Sequence, residues 1–224
     1  MNKYIIAVDG PSAAGKSYLS KKVSELLNII YIDTGAMYRA VALYFIKNNV
    51  DMENDEDVQE ALDNIEIKFK RIDNEPHIFL NGKDISSEIR TEEIGMMASK
   101  VSAIKKVRYD MIDRQRKLAE DDSVILDGRD IGSVVFPNAD LKIYLTADEN
   151  ERAKRRHIDL KSKGIECMHE EVLEDIKKRD YNDINKPISP LVQTEDAVKI
   201  DTTNMTIAEE VEEVIRLLKE RNVI

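Results

Sequence analysis

The chain has 224 residues and a net charge of −10, enough for one large domain with insertions or two small ones. Hydrophobic residues make up 42%, so a core can be buried; the acidic balance excludes a nucleic-acid surface over much of the protein but allows a local basic cleft. The single cysteine, Cys167, excludes a disulfide framework within the chain, and no apolar window reaches the length of a membrane span.

Met1-Asn2-Lys3 runs straight into a strand, leaving no room for a signal peptide, so a cytoplasmic protein is expected. Tyr4 to Val8 is a short apolar, β-branched run, and Tyr18 to Leu27 carries Leu19, Val23, Leu26 and Leu27 at helical spacing. Between them lies Gly10-Pro11-Ser12-Ala13-Ala14-Gly15-Lys16-Ser17, the P-loop pattern. Strand, glycine turn and helix let backbone N–H groups converge on phosphate oxygens at the positive end of a helix. In that pattern Lys16 reaches the β- and γ-phosphates and Ser17 holds Mg²⁺. The run from Gly10 to Tyr18 is therefore the expected nucleotide-binding segment: Gly10, Pro11, Ser12, Ala13, Ala14, Gly15, Lys16, Ser17 and Tyr18.

Ile29 to Ile32 reads as a second strand ending at Asp33-Thr34-Gly35, and Ala36 to Lys47 as a helix. Asp51 to Asp57 is an acidic loop entering a helix. Ile65 to Lys70 then alternates strictly, Asp73-Asn74-Glu75-Pro76 is turn chemistry, His77 to Leu80 is a short strand, and Asn81-Gly82 signals a hairpin. Such a sheet inside an alternating chain is an inserted subdomain. Thr91 to Ala119 reads as helical, with a starting residue at Thr91, a break near Ala103-Ile104, and Met96-Met97 expected in the core.

Ser123 to Leu126 is a buried strand ending in Asp127-Gly128-Arg129-Asp130, and Leu141 to Leu145 is another. Asp148-Glu149-Asn150-Glu151 opens a basic helix carrying Arg152, Lys154, Arg155 and Arg156. Gly164 breaks it, and a helix follows from about His169 to Arg179. Pro187-Ile188-Ser189-Pro190 forces an extended segment, and Ala197 to Ile200 is a last strand. Thr206 and Glu209 form a capping box opening a helix with Ile207, Val211, Val214, Ile215 and Leu218 on one face. Alternating strands and helices predict an α/β fold, a parallel sheet covered by helices on both faces, with ligands outside the carboxyl ends of its strands. The P-loop, Asp33-Thr34-Gly35 and Asp127-Gly128-Arg129-Asp130 are expected to line one cleft there.

A phosphate acceptor needs cations beyond the P-loop. Arg39, Arg129, Arg179 and the helical set Arg152, Arg155 and Arg156 are the candidates. Asp127 either orients Mg²⁺ or fixes its own loop. His77, His157 and His169 lack metal-ligand spacing, and Cys167 is read as a free thiol without a role.

These residues together resemble the bacterial cytidylate kinases. The matching stretches are Asp9-Gly10-Pro11-Ser12 through Lys16-Ser17, Asp33 through Arg39, Ser86-Ser87-Glu88-Ile89-Arg90-Thr91, Asp127 through Gly132, Val135-Phe136-Pro137, Glu151-Arg152-Ala153, Arg179-Asp180 and Ser189-Pro190-Leu191. The resemblance covers essentially the whole chain in family order and includes the β-rich insert. It implies a P-loop core over residues 1–35, 101–153 and 188–224. It further implies a nucleoside-monophosphate-binding domain over 36–100, with the insert at about 63–100, and a lid over 154–187.

The implied reaction is ATP plus CMP or dCMP giving ADP plus CDP or dCDP, with Mg²⁺, in a monomer without nucleic-acid or membrane partners. Residue by residue, Thr34, Ser99, Arg108 and Asp130 resemble the acceptor nucleoside contacts, and Arg179 and Asp183 the sugar contacts. Arg39 and Arg129 resemble phosphate ligands, and Arg155 and Arg156 lid cations, so Lys16, Arg129, Arg155 and Arg156 are the expected catalytic set, with Ser17 and Asp127 at the metal.

Two positions depart from the family. Ala13 stands where glycine is usual, which matters little if its φ stays negative, and Lys186 ends the Arg-Asp-x-x-Asp-x-x-Arg pattern in place of arginine. Another P-loop kinase, for a small metabolite or a nucleotide such as thymidylate, is the alternative, and the insert and the Asp127-Gly128-Arg129-Asp130 loop count against it. An intact P-loop and basic helix count against a non-catalytic nucleotide switch, and the lack of an Asn-Lys-x-Asp motif counts against a GTPase.

Overall fold

The structure, a computed structural model, describes residues 3–73, 75–162 and 164–224. Met1 and Asn2 of the N-terminal segment and Asn74 of the turn lie outside the described residues. The chain divides into two compact units, one of residues 1–31 and 121–224, the other of residues 32–120.

In the first unit, β1 (Ile5–Asp9) pairs in parallel with β6 (Val124–Gly128) and β7 (Leu141–Thr146), and β7 with β8 (Val198–Asp201). With β2 (Ile30–Asp33), which begins in this unit, the sheet order is β2-β6-β1-β7-β8. The parallel pairing follows from the sequence, since each strand is a short apolar run separated by helix and a parallel sheet buries both faces of such strands; the order itself is set by the fold. Ile6, Val8, Ile125, Ile143 and Leu145 pack with Leu19 and Val23 of α1 (Lys16–Leu27) and Val214 and Leu218 of α8 (Ile207–Glu220), all at most 1% exposed. Each contributes roughly 2 kcal/mol of hydrophobic burial. Thr206 and Glu209 form the expected reciprocal capping box on α8.

Between β7 and β8 stand α6 (Glu149–Ser162) and α7 (His169–Ile184). They pack through Ala153, Val172 and Ile176, with Ala13 and Cys167 against that cluster. α7 runs five residues beyond its expected end at Arg179. The extra turn is polar, and tertiary bonds support it: the Leu191 N–H donates to the Asp183 carbonyl at 2.8 Å. Asp127 and Gly128 are the last residues of β6 rather than a loop after it, and Ile131–Val135 forms a single π-turn that the sequence did not signal.

In the second unit, α2 (Thr34–Asn48) contacts α3 (Asp55–Asp63), α4 (Glu92–Val101) and α5 (Lys105–Leu118) around buried Val41, Phe45, Val58, Leu62, Val101 and Met111. The expected helix break falls between α4 and α5. Met96 is 55% exposed, which corrects its expected core position; Ile94, Ala98 and Val101 supply the buried face of α4 instead. The insert is an antiparallel sheet of β3 (Ile67–Ile72), β4 (Glu75–Leu80) and β5 (Lys83–Asp84). Asn81 and Gly82 join β4 to β5 with φ of 48° and 80°, the two positive values that a tight right-twisted hairpin requires. Among the described residues no helix is long and apolar enough to cross a membrane.

Candidate active site

β1 delivers the chain to the phosphate loop at Gly10. A Cβ there would lie 1.9 Å from the Leu145 carbonyl oxygen of β7, so only glycine lets the loop leave the sheet this closely. Gly10→Ala is expected to lower stability by about 3 kcal/mol or more, read as a lower unfolding midpoint. An unchanged midpoint would show that β7 does not confine the loop.

Ala13 has φ of 59°, so the condition under which its methyl group would be harmless is not met. Left-handed alanine carries roughly 1–2 kcal/mol of strain. Its methyl group packs against the α6–α7 cluster, which offsets part of that strain.

Lys16 opens α1 and is 6% exposed. Its Nζ donates to the Gly10 carbonyl at 2.8 Å and the Pro11 carbonyl at 2.7 Å. Burial, and then the Arg129 charge, push its pKa down to about 7. Ser17 donates from Oγ to Asp127 Oδ2 at 2.6 Å, and Asp127 Oδ1 accepts from the Tyr31 hydroxyl at 3.0 Å. Tyr31 is a contact that sequence reasoning missed. Tyr18, expected in the nucleotide-binding run, is 57% exposed.

Asp9, which sequence reasoning missed as a functional residue, organises the neighbouring strand end. Its two carboxylate oxygens accept the Ile131 N–H at 2.8 Å and the Gly132 N–H at 2.7 Å, fixing the π-turn. Burial pushes its pKa up to about 6 against those two bonds.

Arg129 donates from Nε to Asp183 Oδ2 at 2.5 Å and from Nη2 to Ser12 Oγ at 3.4 Å. Lys186 Nζ lies 2.7 Å from Asp183 Oδ1, with its side chain 17% exposed. Asp183 therefore links the two cations. Burial works to raise its pKa, and Arg129 and Lys186 outweigh burial and lower it. Asp130 is buried at 4% exposure beside this group in sequence.

Arg155 bonds the Thr202 carbonyl at 2.7 Å and hydroxyl at 3.0 Å. Arg156 pairs with Asp159 at 2.8 Å and Arg179 with Asp175 at 2.8 Å, each along its own helix. The first unit thus brings together Lys16, Ser17 and Asp127 and, within reach of the Lys16 charge, the linked group of Ser12, Arg129, Asp183 and Lys186. It leaves Arg156 and Arg179 on local partners.

In the second unit Thr34 is buried at the start of α2, where Asp33 accepts the Ala36 N–H at 2.7 Å and pairs with Arg39 at 3.2 Å. Arg108, 3% exposed, donates to the Tyr38 hydroxyl at 2.8 Å and lies over its ring. Ser99 is exposed on α4.

A family model described as cytidylate kinase matches residues 6–220. The cytidylate kinase of Clostridioides difficile is 50% identical over 215 residues, 96% of this chain and 98% of its own length. That of Caldicellulosiruptor bescii is 46% identical over 217 residues, covering 97% and 96%. The crystal structure of an uncharacterized protein from Eubacterium ventriosum, 14% identical, covers 98% of this chain and 99% of its own with a TM-score of 0.53, a likeness of fold alone. On the family match and these full-length identities, the chain belongs to the cytidylate kinase family.

Proposed function

We propose that this chain transfers the γ-phosphoryl group of ATP to CMP or dCMP, giving ADP and CDP or dCDP. The observation that carries the reading within the fold is Lys16, buried at the head of α1, with the half-buried Arg129 close enough for its charge to lower the lysine pKa. Their mutual repulsion is relieved by an anion, and a phosphate group supplies one. Lys16 exchanges its bonds to the Gly10 and Pro11 carbonyls for phosphate oxygens, and the N–H groups from Ala14 to Tyr18 orient the donor.

Ser17 and Asp127 present a hydroxyl and a carboxylate 2.6 Å apart, hard oxygen donors that fit Mg²⁺. Bound there, the ion supplies charge neutralisation on the donor phosphates. Arg129 takes the acceptor phosphate in the first unit and Arg39 in the second. Arg155 and Arg156, in the lid that we assign to residues 154–187, exclude water and balance transferring charge. The family resemblance assigns Arg179 and Asp183 to the acceptor sugar, Lys186 to the acceptor, and each of Thr34, Ser99, Arg108 and Asp130 to its nucleoside. The same reading makes the protein a monomeric cytoplasmic enzyme of small nucleotides.

Cytosine shows an N4 amine donor beside the N3 and O2 acceptors, whereas uracil shows O4 and N3–H. Asp130 offers a carboxylate to the amine and Arg108 a guanidinium to the acceptors. A buried polar group left unpaired rejects the wrong base, and one bidentate base contact discriminates by roughly 1–3 kcal/mol. A coupled ADP-release assay across nucleoside monophosphates is expected to rank CMP and dCMP above UMP, with the gap reduced in Asp130→Ala. Equal use of CMP and UMP by the unaltered protein would refute the assignment.

A further inference from the structure

Ser12 of the phosphate loop is held on both of its backbone groups by α6 and α7. Its N–H donates to Asp180 Oδ1 at 3.0 Å, and its carbonyl accepts from Arg152 Nη1 at 2.9 Å. The same Nη1 donates to Asp180 Oδ2 at 2.6 Å, closing a ring of three bonds around one residue. Arg152 is 6% exposed, and its Nε is tied to the Ala147 carbonyl at 3.0 Å. It is therefore committed to the loop, although the sequence placed it among the cations available to phosphate.

Two neighbouring contacts make this ring more than an isolated ion pair. Ala13, next in the chain, holds its left-handed conformation with its methyl group against the α6–α7 cluster. One turn further along α7, Asp183 takes Arg129, whose other nitrogen reaches the Ser12 hydroxyl. A rotation or shift of α7 would disturb the Ser12 backbone, the Ala13 contact and the Arg129 partner together.

We infer that Arg152 and Asp180 are positioning residues that clasp Ser12, setting the phosphate loop and the Asp183-bearing turn of α7 in one register for phosphoryl transfer. The role rests on the kinase reading above. It also explains the residue types: a carboxylate accepts two donors at once, and the planar guanidinium serves Ala147, Ser12 and Asp180 from fixed directions.

Asp180→Asn keeps an acceptor for the Ser12 N–H but meets Arg152 with a donor, and Arg152→Lys keeps the charge without the fork. Both, and their combination, are to be read by steady-state kinetics with ATP and CMP, by ATP affinity in calorimetry, and by hydrogen exchange at the Ser12 amide. Each folded single variant is expected to lose roughly 10- to 100-fold in kcat, the range for one charge-assisted bond, with faster Ser12 exchange. The double variant should be no worse than the poorer single, since both break one ring.

Unchanged kcat in folded variants, even with a lower Tm, overturns the positioning role, and so do losses that multiply in the double variant. If Asp180→Asn fails to fold, the kcat and Ser12 exchange of Arg152→Lys decide alone. Absence of CMP-dependent ADP formation in the unaltered protein overturns the kinase reading instead, and Ser12 exchange with ATP affinity still decides whether the clasp holds the loop.

Discussion

Lys16→Met is expected to reduce turnover by about 10²- to 10³-fold or more, the loss typical of removing one preorganised charge from a transferring group. Methionine keeps the aliphatic stem that fills the buried position, so the fold should survive. One contribution to the stability change follows from the lysine pKa, lowered from 10.5 to about 7 by burial and then by Arg129. A base depressed in this way destabilises the folded state in full below the folded pKa, and the penalty fades as pH rises toward 10.5. Removing the ammonium relieves that penalty at neutral pH, while the Gly10 and Pro11 carbonyls lose a donor. The two changes oppose each other, and the unfolding midpoint should move little. Steady-state assays beside thermal unfolding check both halves. Near-normal turnover in folded Lys16→Met would remove the central claim that this lysine acts on phosphate.

What the sequence made legible was local. The P-loop, the Asn81-Gly82 hairpin, the Thr206–Glu209 capping box and the break between α4 and α5 each depend on residues a few positions apart, so pattern alone carries them. What stayed hidden was long-range pairing. Asp9 fixes the π-turn from 122 residues away, and Asp180 reaches Ser12 across 168. No spacing rule connects such positions. The far end of α7 was missed because its polar residues offer no apolar stripe, and its support comes from Arg129, Lys186 and Leu191. Ala13 shows a different limit: a residue name does not state a φ, and the sterically unfavourable value is the one adopted. Glu210 did leave a signal. It lies three residues after Ile207 and four before Val214, so a carboxylate interrupts the apolar face of α8.

That carboxylate is the basis of the second large expectation, a stability that depends on pH through one residue. Glu210 is 4% exposed, and among the described residues its Oε2 has no hydrogen-bond partner. It faces the start of α1: a Cβ placed on Gly15 would lie 4.0 Å from Oε2 and 3.9 Å from Arg155 Nη1. Burial raises its pKa from 4.5 to about 7, and the Arg155 charge opposes that rise only in part. An acid whose folded pKa is raised binds more protons folded than unfolded. Its contribution to stability is therefore most favourable below pH 4.5, falls as pH rises toward about 7, and levels off above. The whole loss is about 3 kcal/mol, of which roughly 2–3 falls between pH 5 and 8. Glu210→Gln cannot ionise, so its stability relative to the unaltered protein should grow by that amount across the interval. In a chain of this size the gain corresponds to roughly 5–10 °C in Tm. Asp9, raised from 3.8 to about 6 by burial, titrates in both proteins and cancels in the difference. Paired denaturant unfolding at pH 5 and pH 8 measures the effect directly. A difference that stays constant between those pH values would mean that Glu210 ionises at no cost, and that the orphaned oxygen finds a partner in solution.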